Sequence, residues 1–429
     1  MDYSEARRTL ASLPTRVKPG LDRIERLLDA LGRPEQTFPA VHIAGTNGKG
    51  SVAAMLSAVL SRAGYRVGRF TSPELVDYRD RIEVDGEWIP EERFAEIVTR
   101  LSPGLVGADP PTEFEVLAAV AFRYFADEAV DIAVVEVGLG GRFDATNVVQ
   151  PIVSVLTTVG RDHLDLLGDS IARIAWEKVG IVRRGVPLVV GDLPPAADAV
   201  VVSEARAVGA RVVRASHEIE LAPIHRGLDG ARYRVRASGL PDEVEIPFPP
   251  EYEGENLRCA LAAIRELREA GWKIPDTAIV AGLRTVTWPG RFEVMGRAPL
   301  IVLDGAHNAP GAHALARAVE RFFPPRPRRT LLFGILRNKE IGPVCDALFP
   351  QFPRIVLTRS SSPRALPPEE LVPHARRWGI EPIVTSDVRA GLAAAVSDLG
   401  GEDGLLVTGS LTVVQEARPG LVEEVRCVR

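Results

Sequence analysis

The stretch Val41-His-Ile-Ala-Gly-Thr-Asn-Gly-Lys-Gly-Ser51 joins a short apolar run to a glycine-rich turn, and an apolar-periodic segment follows at residues 52–60. Glycines let the backbone curl so that its N–H groups point at phosphate oxygens, and a helix N-terminus favours negative charge. Lys49 is placed to reach the outer phosphates and Ser51 to bind magnesium. A plain glycine turn needs neither side chain, so the stretch predicts a phosphate-binding loop. Gly50 separates the lysine from the hydroxyl, unlike the common spacing G-x-x-x-x-G-K-[ST].

The composition indicates a globular protein without a nucleic-acid or membrane partner. The 429 residues exceed one ordinary domain, so two are expected. A net charge of -5 argues against bulk nucleic-acid binding, and no apolar run approaches the ~20 residues that span a bilayer. The cysteines Cys259, Cys345 and Cys427 are far apart, which indicates a reducing cytoplasm rather than a disulfide framework.

The pattern of apolar runs predicts an α/β fold. Strand-like runs at residues 66–70, 132–137, 152–159 and 187–190 alternate with helical patterns at 113–127 and 170–179. Such alternation favours a doubly wound, mostly parallel sheet. Residues 217–250 alternate polar and apolar side chains, which predicts a small antiparallel excursion.

A second alternation of strands and helices begins after Trp288-Pro-Gly-Arg-Phe292, a run that indicates a hinge. We therefore expect an ATP-binding domain over residues 1–295 and a C-terminal Rossmann-like α/β domain over residues 296–429.

Several polar side chains follow the predicted strands, where open α/β sheets bind their ligands. Ser51, Ser72, Glu136 and His163 occupy such positions, and three oxygen ligands with one imidazole suit magnesium. Taken singly, Glu136 has an alternative role as a cap or as a partner of Arg142. His163 has an alternative role as an ordinary loop residue.

Four more residues are candidates, and two of them, Lys178 and Arg291, have alternative roles. Lys178, in the last turn of a predicted helix, is by default a solvated charge. Asp304 and His307 follow a strand of the second domain and predict a second wall of the site. Arg291, in the hinge, either reaches a phosphate or forms a structural salt bridge.

The ordered motifs resemble one family. They are Gly45-Thr-Asn-Gly-Lys-Gly-Ser51, Ser72-Pro73, Glu136-Val-Gly-Leu-Gly-Gly-Arg-Phe-Asp-Ala-Thr-Asn147, Asp162-His163, Glu177-Lys178-Val-Gly-Ile181, Pro289-Gly-Arg-Phe292 and Asp304-Gly-Ala-His-Asn308. The chain resembles the folylpolyglutamate synthase and dihydrofolate synthase family, a branch of the Mur-type ATP-dependent amide ligases.

The resemblance implies a role for each matched residue. ATP would be bound by Gly45, Thr46, Asn47, Gly48, Lys49, Gly50, Ser51, Asn256, Arg291 and Asp304. Two Mg²⁺ ions would be held by Ser51, Ser72, Glu136, His163 and a carbamylated Lys178. The catalytic residues would be Lys49, His163, Lys178, Arg291 and His307. The substrate side would use Phe114, Glu115, Arg142, Asp144, Ala145, His307 and Ser410.

The implied activity is the addition of L-glutamate to dihydropteroate, to folylpolyglutamate, or to both, through an acyl phosphate. The expected protein is a cytoplasmic monomer with small-molecule substrates. A Mur-type cell-wall peptide ligase is the first alternative, and a phosphate-loop ATP-dependent switch is the second. Glu74 stands where the family usually carries histidine, which leaves the local folate or metal contact open.

Overall fold

The computed structural model describes residues 1–15 and 18–427, with their side chains as far as residue 422. Its first sheet is built from short runs rich in valine and isoleucine, which suit buried strands. These strands are β1 (Ala40–Ala44), β2 (Val67–Phe70), β3 (Ile82–Val84), β4 (Glu87–Trp88), β5 (Ile132–Glu136), β6 (Pro151–Leu156), β7 (Leu188–Val190) and β8 (Val212–Arg214). Their order across the sheet is β4-β3-β2-β5-β1-β6-β7-β8.

Parallel pairing dominates this sheet. β1 lies between β5 and β6 and is parallel to both, and β2, β7 and β8 extend the parallel array. β3 and β4 add an antiparallel edge beyond β2. Because parallel crossovers place helices on both faces, the central strands are buried on both sides. The predicted doubly wound, mostly parallel sheet is confirmed.

Helices cover both faces of the sheet. They are α1 (Tyr3–Ala11), α2 (Asp22–Leu31), α3 (Lys49–Arg62), α4 (Glu91–Leu101), α5 (Glu113–Asp127), α6 (Leu164–Leu167), α7 (Ile171–Val179), α8 (Pro195–Val208), α9 (Ala215–Glu218), α10 (Glu251–Glu269) and α11 (Asp276–Thr285). Alternate residues of β5 enter two cores: Ile132 and Val134 pack with α3, and Ala133 and Val135 pack with α5. No helix in the described part of the chain is long and apolar enough to cross a bilayer.

The antiparallel excursion is also confirmed. β9 (Glu220–Gly227), β10 (Gly230–Arg236) and β11 (Glu243–Ile246) form a separate sheet in the order β11-β10-β9. Along β10, Ala231, Tyr233 and Val235 are buried while Arg232 and Arg234 face outward, so this sheet covers the core with one face.

The C-terminal part forms its own Rossmann-like sheet. Its strands are β12 (Glu293–Arg297), β13 (Leu300–Leu303), β14 (Arg329–Phe333), β15 (Arg354–Leu357), β16 (Ile383–Val384) and β17 (Gly404–Thr408). Its helices are α12 (Ala309–Phe322), α13 (Ile341–Leu348), α14 (Val372–Arg376), α15 (Val388–Val396) and α16 (Leu411–Cys427). The order is β12-β13-β17-β14-β15-β16, parallel except for β12. Since β12 pairs with β13, this sheet begins at Glu293, a few residues before the boundary predicted at 296.

Two of the cysteines act as small apolar residues in the cores. Cys259, on α10, and Cys345, on α13, are buried free thiols. The side chain of Cys427 lies outside the described residues.

Candidate active site

The glycine-rich loop runs from the end of β1 into α3, which begins at Lys49. Two of its glycines are required by close contacts. A Cβ at Gly45 would lie 1.9 Å from Thr157 Oγ1, and a Cβ at Gly48 would lie 2.1 Å from Asn256 Oδ1. Gly48 also has a φ of +86°, which other residues rarely adopt. The loop therefore curls against its neighbours while the first N–H groups of α3 lack partners within the helix, as an anion site needs.

Glu136 ends β5 beside this loop and is buried. Lys49 Nζ lies 3.7 Å from Glu136 Oε1, and the Ser72 N–H donates to Oε2 over 3.3 Å. Burial raises the pKa of Glu136, against the charge of Lys49. The alternative pairing with Arg142 is wrong, because that guanidinium donates to Glu204 Oε2 over 2.6 Å. The structure thus brings Lys49, Ser72 and Glu136 together.

Ser51 contacts a carboxylate that the sequence did not reveal. Its Oγ donates to Glu253 Oε1 over 2.9 Å, and Asn256 Nδ2 donates to Glu253 Oε2 over 2.9 Å. Burial raises the pKa of Glu253 to about 7, although both hydrogen bonds favour the charged form. Glu253 is separated from Ser51 by 202 residues, so no local spacing could have found the pair.

Lys178 is buried at the end of α7, with 5% of its surface exposed. The alternative of a solvated charge is therefore wrong. Its Nζ donates to the Gly45 carbonyl over 3.0 Å, directly under the phosphate loop. Burial and the charge of Lys49 lower the pKa of Lys178 to about 7. Gly141 permits this position, because a Cβ there would lie 2.7 Å from the Lys178 carbonyl oxygen.

His163 lies in a cluster that joins the two domains. Lys339, from the loop before α13, places its Nζ 2.7 Å from Asp162 Oδ1 and 3.2 Å from His163 Nε2. His307 Nε2 lies 3.6 Å from Asp162 Oδ2. Burial alone would raise the pKa of Asp162, but the His307 ring and the Lys339 charge hold it well below its usual range. Lys339 is a second residue that the sequence did not reveal.

The imidazole of His163 is held in its neutral form, with Nε2 facing the Lys339 ammonium. Burial and the charge of Lys339 lower the pKa of His163 to about 3. Its Nδ1 is buried and has no hydrogen-bond partner among the residues that the structure describes. Within those residues no three His, Cys, Asp or Glu side chains group as a metal site, but the implied Mg²⁺ set contains only Glu136 and His163 of these types. The oxygen donors of this set fit Mg²⁺, whereas His163 would bind a metal only in exchange for its contact with Lys339.

The second domain contributes the strand-end residues after β13. Asp304 accepts from Tyr252 Oη over 3.0 Å and from the Phe292 N–H over 2.8 Å. Burial raises the pKa of Asp304, against the charge of Arg291. The Arg291 guanidinium packs over Gly305, where a Cβ would lie 2.3 Å from its Nη1.

His307 and Ser410 lie on the same side of the second sheet. His307 Nδ1 is 2.8 Å from the Gly305 carbonyl oxygen, and burial lowers the pKa of His307. Ser410 Oγ accepts from the Val413 N–H over 3.2 Å at the start of α16. Both residues follow strand ends, so they share the edge that faces the phosphate loop.

Of the implied substrate residues, Phe114 packs against the loop after β5, whereas Glu115 and Asp144 form hydrogen bonds within the protein. Phe114 lies against the loop after β5, since a Cβ at Gly138 would be 2.4 Å from its ring. The carboxylate of Glu115 already has partners within the protein, because it caps α5 and pairs with Arg23 over 3.0 Å. Asp144, next to the buried Ala145, accepts from the Leu139 N–H over 2.8 Å.

A cavity of about 670 Å³ opens beside Ser72 between the two domains. Trp288, Arg291 and Leu411 are among the residues that line it. Glu74, also on its wall, accepts from Arg81 Nη1 over 3.2 Å, so this departure from the family pattern has a partner within the chain.

Comparison with known proteins identifies the family. The Mur ligase middle domain matches residues 43–264, and the Mur ligase glutamate ligase domain matches residues 290–411. The dihydrofolate synthase/folylpolyglutamate synthase of Mycobacterium tuberculosis is 36% identical over 94% of this chain and 90% of its own length. The chain belongs to this family of Mur-type ligases. A second member, from Bacillus subtilis, is 34% identical over 98% of this chain and 99% of its own length.

Solved structures of the family share the whole fold. M. tuberculosis folylpolyglutamate synthase complexed with ADP and AMPPCP superposes with a TM-score of 0.87 at 34% identity, covering 98% of both chains. E. coli FolC in complex with DHPP and ADP gives a TM-score of 0.86 at 29% identity, covering 99% of this chain and 98% of its own. The resemblance inferred from the ordered motifs is therefore confirmed.

Proposed function

We propose that this chain is an ATP-dependent ligase that joins L-glutamate to dihydropteroate, to folylpolyglutamate, or to both. One observation carries the proposal. The side-chain amides of Asn47, in the phosphate loop, and Asn308, in the second domain, exchange hydrogen bonds of 3.0 and 3.1 Å. The loop that would hold the γ-phosphate thus lies against the domain that would hold glutamate. Relatives crystallised with ADP, AMPPCP or DHPP support ATP and a second small molecule as substrates.

The reaction needs a carboxylate to become a better electrophile. The acceptor carboxylate attacks the γ-phosphorus of ATP, ADP leaves, and an acyl phosphate forms. The amine of glutamate then attacks the acyl carbon and inorganic phosphate leaves. Lys49 and Arg291 would neutralise charge during phosphoryl transfer, which depends mainly on positioning and electrostatics. Contact between the domains would exclude water from the acyl phosphate.

Two Mg²⁺ ions are part of the proposal, held by Ser51, Ser72, Glu136, His163 and Lys178. Bound magnesium would supply charge neutralisation on the phosphate oxygens. Lys178 would contribute as a carbamate. Its neutral Nζ attacks the carbon of CO₂, an N–C bond forms and the nitrogen proton leaves to water. The lowered pKa of Lys178 and the nearness of its Nζ to the loop support this assignment.

The substrates would approach from two sides. Glutamate would lie near His307 and Ser410, at the strand ends of the second domain. The pteroate ring would contact Phe114. Glu115 and Asp144 have their oxygens occupied by the protein, so we propose that they hold the wall of the acceptor pocket rather than the ligand.

The oligomeric state and the cellular location are further parts of the proposal. We propose a monomer, because the contacts that join the phosphate loop to the second domain, such as that of Asn47 with Asn308, form within the chain itself. The free buried thiols of Cys259 and Cys345 suit a reducing compartment that also supplies ATP, which supports the cytoplasm.

The Lys49→Ala variant tests the function. It should abolish ATP-dependent glutamate addition, because the loop loses its only proposed phosphate-binding ammonium. Lys273→Ala removes an exposed lysine and should leave the rate unchanged. A near-normal rate of glutamate addition by Lys49→Ala would contradict the assignment of this chain as an ATP-dependent ligase. A switch protein would instead release phosphate without an amide product, and a cell-wall ligase would need a nucleotide-sugar peptide as acceptor.

A further inference from the structure

Glu253 is a buried carboxylate that the reaction as described does not use. It lies in the first turn of α10 with 1% of its surface exposed. Each of its oxygens receives one hydrogen bond: Oε1 from Ser51 Oγ and Oε2 from Asn256 Nδ2, both over 2.9 Å. Asn256 lies three residues further along the same helix, where side chains share a face. One carboxylate therefore holds two residues of the proposed nucleotide site.

The contact fixes how the Ser51 hydroxyl is used. A serine hydroxyl has one proton to donate and lone pairs with which to accept. Because its proton points at Glu253, its lone pairs are left for the phosphate-loop side, where a magnesium ligand must present them. A carboxylate behind a ligating group orients that group and makes it a better donor to a metal.

The same contact fixes which end of the Asn256 amide faces the loop. With Nδ2 held by Glu253, Oδ1 is directed at Gly48, where a Cβ would lie only 2.1 Å away. Both oxygens of Glu253 accept hydrogen bonds, so the flipped amide would place its oxygen against a carboxylate oxygen. Glu253 therefore contacts Ser51, in the first turn of α3, and holds Asn256 against Gly48 of the loop.

We propose that Glu253 is a positioning residue that couples the magnesium side of the nucleotide site, through Ser51, to the Asn256 side. The inference rests on the proposed ATP site but not on the identity of the amino acid or the acceptor. A single substitution should therefore weaken both the metal-free binding of nucleotide and the gain in affinity that magnesium provides.

Isothermal titration with ADP, with and without Mg²⁺, tests the proposal on the whole chain. Glu253→Gln keeps the shape but offers an N–H where one of the two donors points. Glu253→Ala removes both acceptors. We expect the affinity for ADP with Mg²⁺ to fall roughly tenfold in Glu253→Gln and roughly a hundredfold in Glu253→Ala, as for loss of charged hydrogen bonds. Metal-free affinity should fall by a smaller factor, so the ratio of the two affinities should also fall.

Glu266→Gln is the matched control, because Glu266 is a buried carboxylate on the same helix that pairs with Arg211. It should leave both affinities unchanged. The proposal is overturned if folded Glu253→Ala binds ADP like the unsubstituted chain, or loses only one of the two effects. If Glu253→Ala does not fold, Glu253→Gln decides by the same criterion. Because this titration uses neither glutamate nor folate, failure of the proposed ligase reaction would show separately, as ADP binding without amide formation.

Discussion

The proposed carbamate on Lys178 can be tested in two ways, by replacing Lys178 and by removing dissolved CO₂. Its pKa is lowered to about 7 from the usual 10.5, because the ammonium is buried and faces the charge of Lys49. At pH 8 about 90% of such an amine is neutral, against about 0.3% of an ordinary lysine. The nucleophile for CO₂ is thus roughly 300-fold more abundant at this site than on the surface. Carbamate occupancy should therefore fall as pH falls through about 7, since the protonated amine of Lys178 cannot attack CO₂.

The assay is ¹³C NMR of the chain equilibrated with ¹³C-bicarbonate in the presence of ADP and Mg²⁺. A carbamate resonance should appear at pH 8, weaken at pH 6, and be absent in Lys178→Met. Lys273→Arg, which changes an exposed lysine, should keep it. Removing dissolved CO₂ should slow glutamate addition, and bicarbonate should restore it. A missing resonance together with a rate of glutamate addition that does not depend on CO₂ would rule out the carbamate.

Three other variants test separate parts of the site. Lys339→Met should lower the free energy of unfolding by about 3 kcal/mol at pH 7, because Asp162 stays buried without its ammonium. Since the folded pKa of Asp162 is held low, that difference should shrink below pH 4, measured by urea denaturation; an unchanged stability at pH 7 would contradict it. Phe114→Ala should raise the KM of the pteroate acceptor roughly tenfold and leave the KM of ATP unchanged, in steady-state kinetics. Ser51→Ala should raise the Mg²⁺ concentration needed for half-maximal rate, whereas Ser51→Thr keeps the hydroxyl; equal Mg²⁺ requirements would count against Ser51 as a ligand.

Local pattern was sufficient for much of the fold. The run Val41 to Ser51 combines an apolar strand, obligatory glycines and a helix start, and each is a property of neighbouring residues. The parallel sheet followed from the alternation of strands and helices. The N-terminal helices α1 and α2 were not predicted, although α2 has a clear apolar face once it is seen packed.

Strand ends predicted part of the site. Ser51 and Glu136 could be placed near one another because the parallel strands β1 and β5 finish at one edge. Asp304 follows β13 of the second sheet and was predicted as the opposing wall, and Lys178 was assigned only through the family resemblance. Glu253 and Lys339 could not, since they meet Ser51 and Asp162 across 202 and 177 residues.

Lys178 shows how tertiary contact overrides a local rule. A lysine in the last turn of a helix is normally solvated, but the close approach of the Gly141 loop encloses this one. Arg142 shows the converse. It is near Glu136 in sequence, yet β5 ends before it and the loop turns its guanidinium toward Glu204.

The proposed ligase activity is tested by measuring phosphate release and product mass together, with ATP, Mg²⁺ and L-glutamate. Dihydropteroate and tetrahydrofolate are supplied in turn as the acceptor. We predict one phosphate for each amide formed, with an acceptor heavier by one glutamyl residue for at least one of the two. Phosphate release that proceeds without glutamate or acceptor, or without any glutamylated product, would rule out the ligase activity.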